Sequence, residues 1–208
     1  ALDQKLSAVR PVGGEAVRPQ VPQRPPEDNT VYDIPVGDSY VFGNPNAPVM
    51  IAEFSDLQCP FCSRFHTPLF EAVKAFPNDV KVVFKNFPLP MHPNARPAAK
   101  AALAAGLQGK YYEMIELLLQ NQQAFSDEKF KELAGQLGMN VDQFVKDMKD
   151  RDAEFEKKLN DDMELGGKIN VEGTPTYFLN GKKTHGLPVE MWKSKIEAAL
   201  KEAQAAKK

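Results

Sequence analysis

The chain has 208 residues, 42% of them hydrophobic and 26% charged, which suffices for one sizeable core or for one core carrying an inserted subdomain. Its formal net charge is -2, with acids and bases interspersed, so it lacks the basic field that binding to nucleic acid or an anionic membrane requires. No apolar run approaches the ~20 residues of a membrane span, and a single pair of cysteines separated by two residues excludes a disulfide-stapled fold, because no long loop could be closed.

Residues 1–30 read as a flexible tail or linker. Five prolines fall between Pro11 and Pro26, beside charged residues and Gly13-Gly14, a composition that buries too little apolar area to offset the entropy of ordering. Leu2, Leu6 and Val9 have helical spacing, which would fit the stub of an oligomerisation helix and a homo-oligomer. The tail has no apolar core of a signal peptide, so the chain is expected to be either cytosolic or a mature, trimmed form.

Val31 to Val36 reads as a first strand and Val41 to Pro48 as turn-rich. Val49 to Phe54 is a short apolar run with one acid, Glu53, inside it, as expected of a central parallel strand. A helix follows from about Cys59 to Phe76, interrupted by Pro68. Val80 to Lys85 is β-branched and aromatic, hence a strand, which completes a βαβ unit. The character then changes. An Ala-rich helix covers Asn94 to Leu107, and a second covers Tyr111 to Gln120. Ser126 and Asn140 are placed to cap two more. A last one runs to about Leu165, where Gly166-Gly167 should stop it. Strand character returns over Thr174 to Leu179, and Asn180-Gly181 signals a tight hairpin to Lys182–Gly186. Pro188 opens a final helix with Trp192, Ile196, Ala199 and Leu200 on one face. The expected fold is therefore α/β: residues 31–92 and 168–208 form one unit, with an all-helical subdomain inserted over 93–167.

Cys59-Pro60-Phe61-Cys62 has two readings. A structural zinc site needs four ligands. There is no second such pair, and His66, His92 and His185 supply no clear fourth ligand, so no metal is expected. A redox pair needs one thiolate with a depressed pKa and a second thiol close enough to resolve a mixed disulfide. Cys59 falls where a buried strand meets a helix N-terminus, whose free N–H groups and dipole stabilise a thiolate. Pro60 fits the first helical turn. Cys62 lies one turn further in, more buried. Cys59 is thus the nucleophile, and no cofactor is expected beyond the cysteine pair itself.

The segment Glu53 to Cys62 resembles the active site of DsbA-like proteins of the thioredoxin superfamily. Gly173-Thr174-Pro175-Thr176 resembles that family's cis-proline loop, and the stretch from His92 to Met114 its helical insertion. The resemblance covers about residues 31–205 and implies a thioredoxin-like fold. It implies that Glu53 sits beneath Cys62 and assists its proton transfer, against the alternative of a solvated, edge-facing acid. It implies that Thr174 and a cis Pro175 face the cysteines and contact an extended substrate. Phe61 departs from the best-known DsbA pattern, which has histidine there. With no charge and no N–H donor, it should leave the thiolate less stabilised and the disulfide less oxidising. His66 would either bring positive charge near the pair or simply pack. Lys85 and Met91-His92-Pro93 would line the site or serve only the loop, and Tyr111-Tyr112 would pack between the two parts.

The resulting expectation is a thiol–disulfide oxidoreductase that forms disulfides in extracytoplasmic, periplasmic proteins. Its partners would be protein thiols and a membrane or soluble redox partner that recharges it. An isomerase or reductase of the same family is the alternative. A chaperone-like or metal-carrying module is the reading from a different class.

Overall fold

In the computed structural model, residues 30–206 are described; the expected tail, with Leu2, Leu6 and Val9, falls almost wholly outside them. Among the described residues the elements run β1 (Val41–Gly43), β2 (Val49–Ser55), α1 (Pro60–Val73), β3 (Val80–Asn86), α2 (Ala95–Gly106), α3 (Tyr111–Gln120), a 3-10 turn (Gln122–Ala124), α4 (Asp127–Gln136), α5 (Val141–Asp150), α6 (Asp152–Lys168), β4 (Thr176–Leu179), β5 (Lys182–Thr184) and α7 (Val189–Ala205). No helix among them is long and apolar enough to cross a membrane.

One five-stranded sheet has the order β1-β3-β2-β4-β5. The apolar run Val49–Ser55 takes the centre, parallel to β3 and antiparallel to β4. A central strand is covered on both faces, which is why this run does not alternate with polar residues. Strand geometry still sends successive side chains to opposite faces. Val49 and Ile51 join Leu69, Phe70 and Val73 of α1 and Trp192 and Ile196 of α7 on one face. Ala52 and Phe54 join Val83, Phe178, Ile169 and Val171 on the other. Glu53 is in phase with Val49 and Ile51, so its carboxyl lies under α1.

Between β3 and β4 the chain is helical throughout. Alanines of α2 pack closely against Met114, Ile115 and Leu118 of α3, Leu133 of α4, Phe144 of α5 and Leu159 of α6, and the same cluster includes Leu57, Cys59, Cys62 and Phe84. The Ser126 side chain accepts from Lys129 N–H at 3.1 Å and that of Asn140 from Gln143 N–H at 2.9 Å, so both cap as expected. Tyr112 donates its hydroxyl to the carbonyls of Tyr40 and Val82, and Tyr111 stacks on Tyr40.

Four expectations change. Val31–Val36 is not a strand: only Val31 makes an isolated bridge, to Lys182, and Pro35 interrupts the run with a residue that has no N–H to give a ladder. The first strand is instead the short Val41–Gly43, antiparallel to β3. Gly166-Gly167 does not end the last inserted helix, which continues to Lys168. Gly166 is buried inside it because a Cβ there would meet the Phe87 ring at 2.5 Å; it is a close-packing glycine, not a stop. The strand after the Thr174-Pro175 pair begins only at Thr176. The Asn180-Gly181 turn has φ of 47° and 81°, the two left-handed residues that a tight hairpin turn demands.

Candidate active site

The site is assembled where the carboxyl end of β2 passes into α1. Cys59 is the N-cap residue and Pro60 the first residue of the helix, where its missing N–H costs nothing. Both cysteines are free thiols. Cys62, one turn in, is fully buried; Cys59 is 4% exposed, more covered than an attacking thiolate read from sequence would be. Its cover is the Gly173–Thr176 loop. The Thr174–Pro175 peptide bond is cis, and Cys59 Sγ donates to the Thr174 carbonyl at 3.6 Å. Phe61 lies outside this pairing, 59% exposed.

The two sulfurs are electrostatically unlike. The Cys59 thiol is pulled down to about 5, first by a hydrogen bond from Cys62, and, against the cost of burial, by the Thr174 side chain and the N–H groups of Cys62 and Phe61. Burial, and then the hydrogen bond it gives Cys59, push Cys62 well up. The Thr174 hydroxyl is buried and has no hydrogen-bond partner elsewhere among the described residues. As a thiol, Cys59 gives its proton to the Thr174 carbonyl; as a thiolate, it has that hydroxyl as a donor.

Cys62 sits in a small cradle. The Asp56 N–H donates to its sulfur at 3.4 Å, and the Ser55 hydroxyl, which has no other partner among the described residues, lowers its pKa. Asp56 is buried, and its carboxylate is fully used. It accepts from the N–H of Gln58 at 2.7 Å, from the N–H of Leu89 at 2.7 Å and from His92 Nδ1 at 2.8 Å. The loop around His92 thereby closes on the cysteine turn, while Met91 stays 71% exposed. Gln122, from the inserted helices, donates to the carbonyls of both Leu57 and Cys59.

Glu53 is completely buried, which removes the solvated, edge-facing alternative. It does not lie alone: His66 Nδ1 is 3.0 Å from its Oε2 and 3.3 Å from its Oε1, and the Tyr177 hydroxyl donates to Oε1 at 3.4 Å. His66 is buried and stacked on Phe70, so it packs rather than offering charge at the surface beside Cys59. Lys85 turns away from the site, to Ser39 at 2.8 Å and Asp162 at 3.5 Å. The structure thus brings Cys59, Pro60, Cys62, Thr174 and Pro175 together, leaves the Phe61 side chain at the surface beside them, and pairs Glu53 with His66 and Tyr177. Sequence reasoning missed Ser55, Asp56, Gln122 and Tyr177. An acid three residues before a helix N-cap was a readable signal for Asp56; nothing local marked Gln122, whose role depends on a contact 63 residues away.

The comparisons with known proteins agree with this geometry. The thioredoxin family profile matches residues 36–198. A solved thioredoxin-like oxidoreductase from Silicibacter pomeroyi DSS-3 superposes with a TM-score of 0.65 at 28% identity, covering 80% of this chain and 92% of that one. The thiol-disulfide exchange protein alpha-DsbA2 from Wolbachia pipientis superposes with a TM-score of 0.70 at 23% identity, covering 77% and 86%. Among curated proteins, a Na(+)/H(+) antiporter NhaA 1 of Mycolicibacterium gilvum (strain PYR-GCK) is 33% identical over 182 residues, 87% of this chain. The chain spans only 27% of the length of that relative. With the profile matching most of the chain and the sheet, insertion and paired-cysteine turn in the matching order, the chain belongs to the thioredoxin family.

Proposed function

We propose that the protein exchanges disulfides with protein thiols through Cys59 and Cys62, and that its working direction is donation: its disulfide passes to extracytoplasmic proteins and is restored by a separate redox partner. The observation that carries this reading is the asymmetry of the pair, with Cys59 held down and Cys62 pushed up. A stabilised Cys59 thiolate stabilises the reduced form, and so makes the disulfide the more ready to be given away. In the forward step a substrate thiolate attacks Cys59 Sγ. The Cys59–Cys62 bond breaks, Cys62 takes up a proton, and a substrate–Cys59 disulfide forms. A second substrate thiolate then displaces Cys59, which leaves as the stabilised thiolate. Thr174, next to the cis bond, presents its backbone to an extended substrate segment, and Glu53 serves the proton of Cys62.

The test is equilibration of the Cys59–Cys62 pair against glutathione, together with refolding of a reduced substrate. An oxidising potential with substrate oxidation supports donation; a strongly reducing potential with insulin reduction assigns a reductase instead. Cys59→Ser is expected to abolish turnover and Cys62→Ser to accumulate mixed disulfides. Full refolding activity in Cys59→Ser would end the proposal.

A further inference from the structure

Glu53 is buried on a central strand, so a proton it takes from Cys62 has no direct way out to water. The structure contains a group placed to complete that route. His66 Nδ1 touches the carboxylate at 3.0 Å, whereas its other ring nitrogen, Nε2, is buried and has no hydrogen-bond partner among the described residues. An unpaired buried nitrogen is costly unless something outside the protein meets it. His66 also lines a cleft of about 160 Å³ between α1 and α3, walled by Ser63, Thr67, Glu71, Lys74 and Glu116. Glu71, Lys74 and Glu116 are exposed, so the cleft opens to solvent, and no residue of the Gly173–Thr176 loop lines it.

We propose that His66 exchanges protons between Glu53 and this cleft, giving the resolving cysteine a proton route separate from the substrate face. The inference rests on Glu53 acting as the base for Cys62. In the resolving step the Cys62 proton passes to Glu53, and the Cys62 sulfur attacks Cys59. The Cys59–Cys62 bond forms, the Cys59–substrate bond breaks, and the substrate sulfur leaves as a thiolate carrying the electron pair. The imidazole, carrying its own proton on Nε2, then accepts the Glu53 proton at Nδ1 and gives the Nε2 proton to water in the cleft. Donation runs the same path inward. An imidazole suits the task because its two nitrogens bond in opposite directions and either can carry the proton.

The surroundings fit a conducting pair. Besides Glu53, the ionisable groups around His66 are Cys62, Glu71 and Lys74 on its own helix, Tyr112 and Glu116 on α3, and Tyr177 on β4. Tyr177 is held in its neutral, donating form by burial first, and next by the charges of Glu53 and Cys62, which places both within its electrostatic reach. Tyr112 is likewise kept neutral, mainly by burial. Neither tyrosine competes with His66 for the proton. Phe70, stacked on the ring at 4.2 Å, fixes the plane of the imidazole while its Nδ1 meets the carboxylate.

The experiment mixes the reduced protein with an aromatic disulfide that releases a coloured thiolate. A first release reports attack by Cys59 and a second reports resolution by Cys62. His66→Gln keeps a hydrogen-bond partner for Glu53 but cannot relay, so the second phase is expected to slow by roughly 100-fold while the first is unchanged. His66→Ala should slow in the same way, and added imidazole should restore its second phase in proportion to concentration. An unchanged second phase in His66→Gln overturns the proposal, and so does a slowed phase that imidazole fails to restore in His66→Ala. Glu53→Gln separates the two levels. If it leaves resolution untouched, the underlying reading of Glu53 falls; if it slows resolution while both His66 variants are normal, only the His66 route falls.

Discussion

Gln122 donates its side-chain amide to the Cys59 carbonyl at 2.8 Å and to the Leu57 carbonyl at 2.9 Å. One side chain from the inserted helices thus ties down the turn that carries Cys59. Removing it strands two carbonyls in a largely buried setting. Gln122→Ala is expected to cost about 1–2 kcal/mol of stability, read by urea denaturation. Cys59 should also alkylate with a less uniform rate as its turn loosens.

The Cys59 thiol titrates near 5, against an ordinary value of 9.0. Alkylation of the reduced protein should therefore reach half its plateau rate near that lower pH and stay flat through neutrality. The sign for stability follows. A depressed folded-state pKa stabilises the reduced protein fully above the unfolded value, and the gain is lost as pH falls from there through the folded value. The reduced form should gain on the oxidised form as pH rises from about 5 to about 9. Paired thermal melts across that window test this; a constant difference would contradict the shift.

Thr174→Val removes a hydroxyl but keeps the shape of the side chain. The lost group is buried, has no other partner among the described residues, and lowers the Cys59 pKa. The alkylation midpoint should move up and the potential should become less oxidising. The melting temperature of the oxidised form, which has no thiolate to solvate, should change little.

Gly166→Ala puts a methyl 2.5 Å from the Phe87 ring and 3.3 Å from that of Phe54. Alanine normally strengthens a helix, so propensity alone predicts a gain. Overpacking should reverse the sign, at about 1–3 kcal/mol, visible as a lowered urea midpoint. A stabilised variant would mean that Phe87 yields freely.

The order of the elements was readable because their signals are local. Val49–Ser55 is long, apolar and bounded; Ser126 and Asn140 are caps; Asn180-Gly181 is a turn with its own chemistry. The failures have equally definite causes. Val41–Gly43 is too short to carry a period and owes its strand state to pairing with β3. Val31–Val36 has strand-like residues, yet among the described residues it forms an isolated bridge at Val31 and no strand. Gly166 looked like a stop because a glycine's role as a close contact depends on Phe87, far away in sequence. In the site, Cys59, Cys62 and the Thr174-Pro175 loop announced themselves by motif. The partners that set their chemistry did not: Asp56 holds Leu89 and His92, and Glu53 holds His66 and Tyr177, all through distances the linear order hides.

Asp162 of α6 accepts from both the backbone N–H and the side-chain amide of Asn86, at 2.9 Å and 3.1 Å, and pairs with Lys85 next to it on β3. Asp162 is buried, so separating it from these partners would leave a carboxylate stranded without solvent. The inserted helices also share one apolar cluster with Cys59 and Cys62. Heat should therefore not find a hinge at the boundaries drawn along the sequence. Both parts are expected to melt in a single transition, and a chain cut down to its sheet and flanking helices would lose one wall of the pocket that holds its sulfurs apart from water.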